Sequence, residues 1–312
     1  MSTTAEGPRH LRIGYAGDDS FITCLVALLD RSDVELAVTL TGDDDRYTST
    51  VETMSLAAGA KVIRGNPGCS GWNEVNEADL DLLVSAAYGY RIPVDDLPEV
   101  GSMLNVHPSF LPEGRGPNPL PYIANSQPSA AGVTIHQIDA EFDTGPIVIQ
   151  SRLDGLDDRP SLCDLTLAAM ALAPVLLTTV VDDLDRYLAR AEPQGPGTYW
   201  PPVEAGETVI DLTAAPADQI EGAIHRFACQ GFSFKLDDGR LLPVETAHYT
   251  PARHCFEPGR LLGTLRADLL LSAHGGLIRA FPFRDDTVRS LDPGGLEKPD
   301  GSESTKDSKH AD

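Results

Sequence analysis

Along the first two hundred residues, short continuous apolar runs alternate with longer stretches whose apolar positions recur at helical spacing. "LRIGYAG", "VELAVTLTG", "KVIRG", "LDLLVSAAYG", "SMLNVHPSF", "GVTIHQID" and "PIVIQSRL" read as strands, and "SFITCLVALLD" between the first two reads as a helix. Apolar strands separated by helices predict a mostly parallel sheet covered on both faces, an α/β domain. In such sheets ligands sit at the carboxyl ends of the strands. Asn105 and His107 stand at one of these ends, where "MLNVH" gives way to "PSFLPEGRGP". Their i, i+2 spacing on a strand puts both side chains on one face. On these residues alone, a buried hydrogen-bonded pair and part of an active site are both open.

"LTLAAMALAPVLLTTVV", residues 165–181, is the longest apolar run. Its threonines and Pro174 leave it short of the ~18 unbroken apolar residues of a membrane span. It is expected to be a buried helix, and no membrane partner is expected. After a helix ending near Ala191, "EPQGPGTYWPP" reads as a linker. Beyond it the texture changes to a helix-like "APADQIEGAIHRFA" and short strands broken by the hairpin signals "DDG" and "HGG". A small antiparallel, barrel-like β domain is expected there, and a polar, disordered tail after it. The domain boundaries so read are 1–197, 198–285 and 286–312.

Length and charge narrow the partners. The 312 residues are ample for two domains. A net charge of −23 with 24 Lys and Arg and no basic stretch disfavours a polyanion, so no nucleic acid is expected. Five cysteines (Cys24, Cys69, Cys163, Cys229, Cys255) are scattered without a C-x-x-C spacing. Neither a disulfide framework nor a zinc site is expected from them, and the compartment they suggest is a reducing cytoplasm. "MSTTAEGPRH" has no apolar signal core. "IGYAGDDSF" misses the G-x-G-x-x-G spacing, and Asp18 and Asp19 would repel a phosphate, so it reads as a plain strand-to-helix turn.

The second informative stretch is "GVTIHQIDAEFDTGPIVIQ", residues 132–150. A solvated turn with an Asx hydrogen bond explains Asp139 and Glu141. Asp143 differs, because "DTGP" sets it against a tight turn entering a new strand, from where its carboxylate can reach a neighbouring strand end and orient a histidine. His136, earlier in the same strand, reads as a packed structural histidine.

Taken together, "NVHPSFLP" and "GVTIHQIDAEFDTGPI" resemble the paired signature of the superfamily of formyltransferases that use 10-formyltetrahydrofolate. "VIDLTAAPADQIEGAIHRF" resembles the start of the second domain found in some members. The resemblance implies a Rossmann-like formyltransferase fold with a smaller C-terminal barrel-like domain, and a catalytic trio of Asn105, His107 and Asp143. The chemistry is consistent. Formyl transfer to an amine passes through a tetrahedral oxyanion, to which the Asn105 amide can donate; one such donor is worth roughly 10²–10³ in rate. His107 would take the ammonium proton or stabilise the oxyanion as an imidazolium. Asp143 would raise the His107 pKa and help relay the proton. The resemblance also implies 10-formyltetrahydrofolate as cosubstrate and no metal. Its pterin pocket would be walled by Ala87, Tyr88, Gly89 and Ile92 on one side and by Ile138, Ala140 and Glu141 on the other.

Members that act on initiator tRNA usually carry Arg in the loop after the histidine motif, and an inserted basic loop near the second strand. Here Glu113 stands in the first place, although Arg115 is kept, and "TGDDDRYTSTVETMSLAAGAKV" is short and acidic. A small-molecule amine, an amino sugar or amino acid of natural-product or cell-surface metabolism, is therefore the expected acceptor. Arg115, Asn118 and Tyr122 are the candidates to line its cleft. Trp72, Trp200 and Tyr199 are the prominent aromatics available to a nucleotide-linked acceptor, and core or linker packing explains each equally well. A hydrolase passing the formyl group to water, methionyl-tRNA formylation, a non-catalytic folate binder, and a homodimer stay open as alternatives.

Overall fold

A computed structural model describes residues 10–266 and 268–283. Two compact units divide the described residues: those up to Thr208 together with Glu221–Gln230, and Val209–Ile220 together with the described residues of 231–283.

The first unit is built in the expected alternation. β1 (Leu11–Gly17), α1 (Ile22–Leu29), β2 (Val34–Thr41), α2 (Asp45–Ala57), β3 (Lys61–Arg64), α3 (Gly68–Asn76) and β4 (Leu82–Ala86) are followed by β5 (Met103–His107), α4 (Leu120–Ser126), β6 (Gly132–Gln137), β7 (Ile147–Arg152), α5 (Leu162–Asp182) and α6 (Leu184–Ala189). The seven strands form one sheet in the order β3-β2-β1-β4-β5-β6-β7. Pairing is parallel from β3 to β5 and antiparallel from β5 to β7. Continuous apolar strands predict burial on both faces, and β4 is buried at all five positions.

The long apolar run is α5. Ser161 caps it in a reciprocal capping box with Asp164, which satisfies two otherwise orphaned donors. Leu165, Ala169, Ala173, Leu176, Leu177 and Val180 recur every three or four residues and are buried. This one-sided stripe is that of a core helix, and it packs with Ile13, Leu25, Val84 and Val106 in one apolar cluster.

The second unit holds β8 (Val209–Asp211), β9 (Phe232–Lys235), β10 (Leu241–Pro251), β11 (Leu261–Leu265), β12 (Asp268–Ala273) and β13 (Gly276–Pro282); α7 (Ala217–Phe227), between β8 and β9 in the chain, starts in this unit and ends in the first. The strands form a six-stranded sheet in the order β11-β12-β13-β10-β9-β8, with β8 and β11 at its edges. β8 pairs with β9 in parallel and the other pairs are antiparallel. The expected barrel-like domain is thus a small β-rich sheet, and the tail expected at 286–312 lies outside the described residues.

Two features of the first unit depart from the sequence reading. Residues 192–201 are not a free linker: Ile147 and Glu192 exchange backbone hydrogen bonds, and Thr198 and Trp200 pair with Pro112 and Arg115. The units therefore part at Thr208/Val209 rather than at 197/198. Cys163 and Cys229 form a disulfide across a sequence separation of 66, where no disulfide was expected. Their spacing carries no signal, because it is the return of Glu221–Gln230 to the first unit that brings them together.

Candidate active site

β5 ends in Asn105 and His107, two residues apart on one face. In the antiparallel pairing with β6, Asn105 stands opposite His136 and His107 opposite Thr134. Side chains directly opposite in such a pair approach to about 5 Å at Cβ, so the register itself places His136 against Asn105. β6 then runs into the 138–146 loop, which brings Asp143 back over the strand end. Asp143 holds a left-handed backbone with φ 57°. Gly145 allows the turn, since a Cβ there would run into the Gln137 carbonyl.

The four side chains converge. The Asn105 Nδ2 lies 3.1 Å from Asp143 Oδ1 and 3.2 Å from His136 Nε2. His107 Nδ1 and His136 Nε2 each lie 3.5 Å from Asp143 Oδ1. The Gly116 N–H donates to Asp143 Oδ2 at 2.8 Å. The Asn105 orientation follows from this set, because turning the amide over would face its oxygen toward a carboxylate.

The tautomers follow in the same way. His107 Nε2 lies 2.7 Å from the Gly114 carbonyl, which can only accept, so Nε2 carries the proton and Nδ1 presents its lone pair beside Asp143. His136 Nδ1 lies 2.8 Å from the Gln137 carbonyl, which leaves its Nε2 to accept from Asn105. His136, read as a packed histidine, is buried and is also a full member of the polar cluster.

Burial pushes the His107 pKa down and outweighs the raising pull of the Asp143 carboxylate and the Gly114 carbonyl. The pull of Asp143 has the expected direction, but desolvation of a nearly enclosed ring wins, so His107 is neutral at neutral pH. Burial pushes Asp143 up, yet the neighbouring His107 and His136 rings and the Gly116 N–H together hold it at about 2. At neutral pH the cluster is an ionised carboxylate facing a neutral base.

The "EGRGP" loop closes one side. Gly114 (φ 75°) and Gly116 (φ 119°) adopt conformations that L side chains rarely hold, and a Cβ at either would collide with Trp200. Trp200 stacks on Tyr122 with ring centroids 5.4 Å apart. The three acceptor candidates lie on or beside this loop, each in contact with a distant segment. Arg115 donates to Gln194 Oε1 and the Gly195 carbonyl, Asn118 exchanges two amide bonds with Gln230, and the Tyr122 hydroxyl donates to the Pro201 carbonyl. Gln194, which the sequence did not single out, donates at 2.9 Å and 2.7 Å to the carbonyls of Asp143 and Gly145. It therefore ties Arg115 to the loop that carries Asp143.

The pterin-wall candidates lie on the other side. Sheet pairing of β4 ends at Ala86, and Ala87 turns the chain away with φ 58°. Ala87 and Gly89 are exposed. Ile92 is buried in an apolar cluster with Ala16 and Leu83, on which Tyr88 and Ile138 pack. Arg91 donates to the Ala140 carbonyl, so the two candidate walls are joined. The Glu141 N–H donates to Asp139 Oδ1, and Thr144 Oγ1 donates to the same carboxylate, which is the Asx turn expected for Asp139. Trp72 is a core residue of α3. Two surface clefts, of about 680 Å³ near Arg253 and about 390 Å³ near Arg12 and Asp81, are lined by none of these residues. The convergence of buried, hydrogen-bonded titratable groups is the better guide to chemistry here.

Comparison with known proteins gives a consistent picture. The pattern of the family described as "Formyl transferase" matches residues 71–165, a span holding all four converging side chains. The methionyl-tRNA formyltransferase of Idiomarina loihiensis is 33% identical over 288 residues, covering 86% of this chain and 90% of that protein. Among solved structures, HypX from Aquifex aeolicus in complex with tetrahydrofolic acid is similar in fold with a TM-score of 0.58 at 16% identity. That match covers 87% of this chain and 43% of the longer HypX chain. WlaRD, a sugar 3N-formyl transferase crystallised with dTDP and 5-N-formyl-THF, has a TM-score of 0.56 at 15% identity, covering 89% of this chain and 99% of that one.

Proposed function

This chain belongs to the 10-formyltetrahydrofolate-dependent formyltransferase superfamily and is a formyl-transferring enzyme with a folate cosubstrate, and on that premise we propose that its acceptor is the primary amine or hydroxylamine of a small molecule, an amino sugar or amino acid of natural-product or cell-surface metabolism. Asn105, His107 and Asp143 do the chemistry in this reading, and the enzyme works in the cytoplasm. The observation that carries it is the neutral His107 Nδ1 held 3.5 Å from an ionised Asp143, beside the Asn105 amide.

As the amine attacks the formyl carbon, the carbonyl oxygen gains negative charge. Asn105 meets it by turning one N–H from its present acceptor to that oxygen. The attacking nitrogen sheds a proton to His107 Nδ1, and the imidazolium so formed is stabilised by Asp143. The C–N bond to the folate then breaks, and the same proton can pass to the departing nitrogen. His136 acts through Asn105 and Asp143 and is a positioning residue. Ala87, Tyr88, Gly89 and Ile92, with Ile138, Ala140 and Glu141, would hold the pterin, and Arg115, Asn118 and Tyr122 would border the amine.

The charge around the strand ends supports a small acceptor. Asp43, Glu113 and Glu141 are carried on the loops leaving β2, β5 and β6, while Arg91 on the loop leaving β4 and Arg115 on the loop leaving β5 are bonded to Ala140 and to Gln194 and Gly195. An acidic rim in a chain of net charge −23 repels a phosphodiester backbone. A second reading, methionyl-tRNA as acceptor, is favoured by the relative whose printed name is that activity and whose match runs over most of both chains.

One assay separates these readings: absorbance-monitored conversion of 10-formyltetrahydrofolate to tetrahydrofolate, with a panel of amino sugars, amino acids and hydroxylamino acids and, separately, methionyl initiator tRNA. Turnover that depends on a small amine is expected. Dependence on the tRNA alone replaces this acceptor with the second, and turnover indifferent to every acceptor makes the protein a hydrolase.

A further inference from the structure

Cys163 lies in the first turn of α5, and Cys229 follows the end of α7. Their bond crosses the segment that borders the candidate acceptor side. Leu162 and Leu165, on either side of Cys163, are fully buried against Leu120, Ile123 and Ala124 of α4. Gln230, next to Cys229, exchanges the two amide bonds with Asn118. Arg226, three residues before Cys229, lies over the Tyr122 ring at 5.7 Å and donates to Glu207. Residues 118–122 continue directly from Gly114 and Gly116, the contacts of His107 and Asp143. Cys229 is exposed and Cys163 half-buried, and Cys229 holds a left-handed backbone with φ 73° that a non-glycine residue seldom adopts.

We propose that Cys163–Cys229 is a thiol–disulfide exchange site whose partner is a small dithiol or a dithiol protein, and that its oxidised form clamps residues 221–230 onto the 118–122 segment. The regulatory meaning rests on the reading of that segment as the acceptor side. Two amide bonds and one cation–π contact also join residues 221–230 to the 118–122 segment, and such polar contacts are individually weak. A cross-link over 66 residues removes much of the freedom of the open chain. In a reducing cytoplasm, an accessible disulfide is a reactive group rather than a permanent staple.

The exchange balances without any further reagent. A thiolate of the dithiol attacks the sulfur of Cys229, and Cys163 departs as a thiolate that takes up a proton. The second thiol of the partner then attacks its own mixed-disulfide sulfur, releasing Cys229 as a thiol and the partner as its disulfide. Two electrons pass to the protein. Cys24, Cys69 and Cys255 are unpaired, the first of them buried, and take no part.

The test uses the full chain, purified without reductant and kept in air, then split, with one half reduced with dithiothreitol. Thiol titration after denaturation should count three free thiols before reduction and five after. Hydrogen exchange by mass spectrometry should rise on reduction by about tenfold in peptides covering 114–126 and 221–230, the mark of local opening. Peptides covering 82–92 and 132–145, and the affinity for 5-formyltetrahydrofolate, should not change. The Cys163→Ser/Cys229→Ser protein should exchange at the fast rate with or without dithiothreitol. If that variant fails to fold, the comparison of oxidised and reduced wild type decides alone. Five free thiols after oxidation overturn the proposal. So does complete reduction with unchanged exchange, or a rise spread evenly over the chain. None of these readouts uses turnover, so a wrong acceptor assignment would not disguise the result.

Discussion

On one flank of the Asn105–His107–Asp143 cluster, Ala87–Ile92 and Ile138–Glu141 continue directly from β4 and β6, and Ile92, Tyr88 and Ile138 share an apolar cluster with Ala16 and Leu83. On the other flank, Leu120 is buried in a separate apolar cluster with Leu162 and Leu165, and the rest of residues 113–122 makes polar contacts to segments far along the chain. Arg115 reaches Gln194, Tyr122 reaches Pro201 and Asn118 reaches Gln230, at sequence separations of 79, 79 and 112. Fully burying an aliphatic side chain contributes about 1.5–3 kcal/mol, whereas an ordinary hydrogen bond contributes about 0.5–1.5 kcal/mol net. The first flank is therefore fixed by the core of the fold. The polar contacts of the second can change without loss of either apolar cluster, which suits the proposed acceptor side, where specificity must vary.

Substitutions within the cluster, which both flanks share, should have the largest effect. Asn105→Ala and Asp143→Ala are each expected to lose roughly 10²–10³ in kcat with the fold retained by circular dichroism. Near wild-type rates in either folded variant would remove the cluster from the chemistry. Ile92→Ala should lower stability by about 2–5 kcal/mol in denaturant titrations and weaken folate binding with it. His136→Phe keeps a ring buried there but removes one of the two acceptors of Asn105, leaving only Asp143. A loss on the order of tenfold to a hundredfold in kcat is expected, from misplacement of reacting groups, with partial rescue in His136→Gln. A change in stability alone would return His136 to a packing role.

Asn118→Ala, on the polar flank, should cost only about 1 kcal/mol of stability, raise the KM for the acceptor and leave folate affinity as it was. The contrast between the flanks collapses if Asn118→Ala weakens folate binding while Ile92→Ala spares it.

The smallest effect is on pH dependence. Because burial lowers the His107 pKa, the acid limb of kcat/KM should fall below the ordinary histidine value of about 6.5. In an Asp143→Asn protein the raising pull of the carboxylate is gone, so the His107 ring should titrate lower still by NMR. For stability, the unfolded chain takes up the His107 proton first as pH falls through about 6.5, so stability drops from there toward the lower folded value. Asp143, held at about 2, contributes stability above the unfolded carboxyl value of about 3.9, and that contribution is lost as pH falls toward 2. A His107 ring titrating above 6.5 in wild type would reverse the first of these signs.

Much of the cluster was legible because it is local. Asn105 and His107 share a face by strand periodicity, and "FDTGP" sets Asp143 at a turn. His136 was read only as a packed histidine, which it is, and its place in the cluster escaped that reading for a definable reason. Its place opposite Asn105 depends on the β5–β6 register, and neither strand's own sequence states which residue of the other it will face. Gln194 and Trp200 were assigned to a linker because Gly and Pro mark them as loop, and composition does not tell a free loop from one hydrogen-bonded to Pro112 and Arg115. The cysteine pattern likewise gave no hint of Cys163–Cys229.

By itself, then, the sequence determined the strand and helix alternation, the mostly parallel sheet, the β-rich second unit and the three residues at the strand ends. Periodicity and turn chemistry act over a few residues, and the apolar pattern along each element dictates what it buries. The tertiary structure alone decided that His136 joins the cluster and that burial keeps His107 neutral. It likewise decided that residues 192–201 and 221–230 return to hold the far side of the site. Register, desolvation and contacts at separations of 79 to 112 residues depend on which elements become neighbours, and the folded chain settles that.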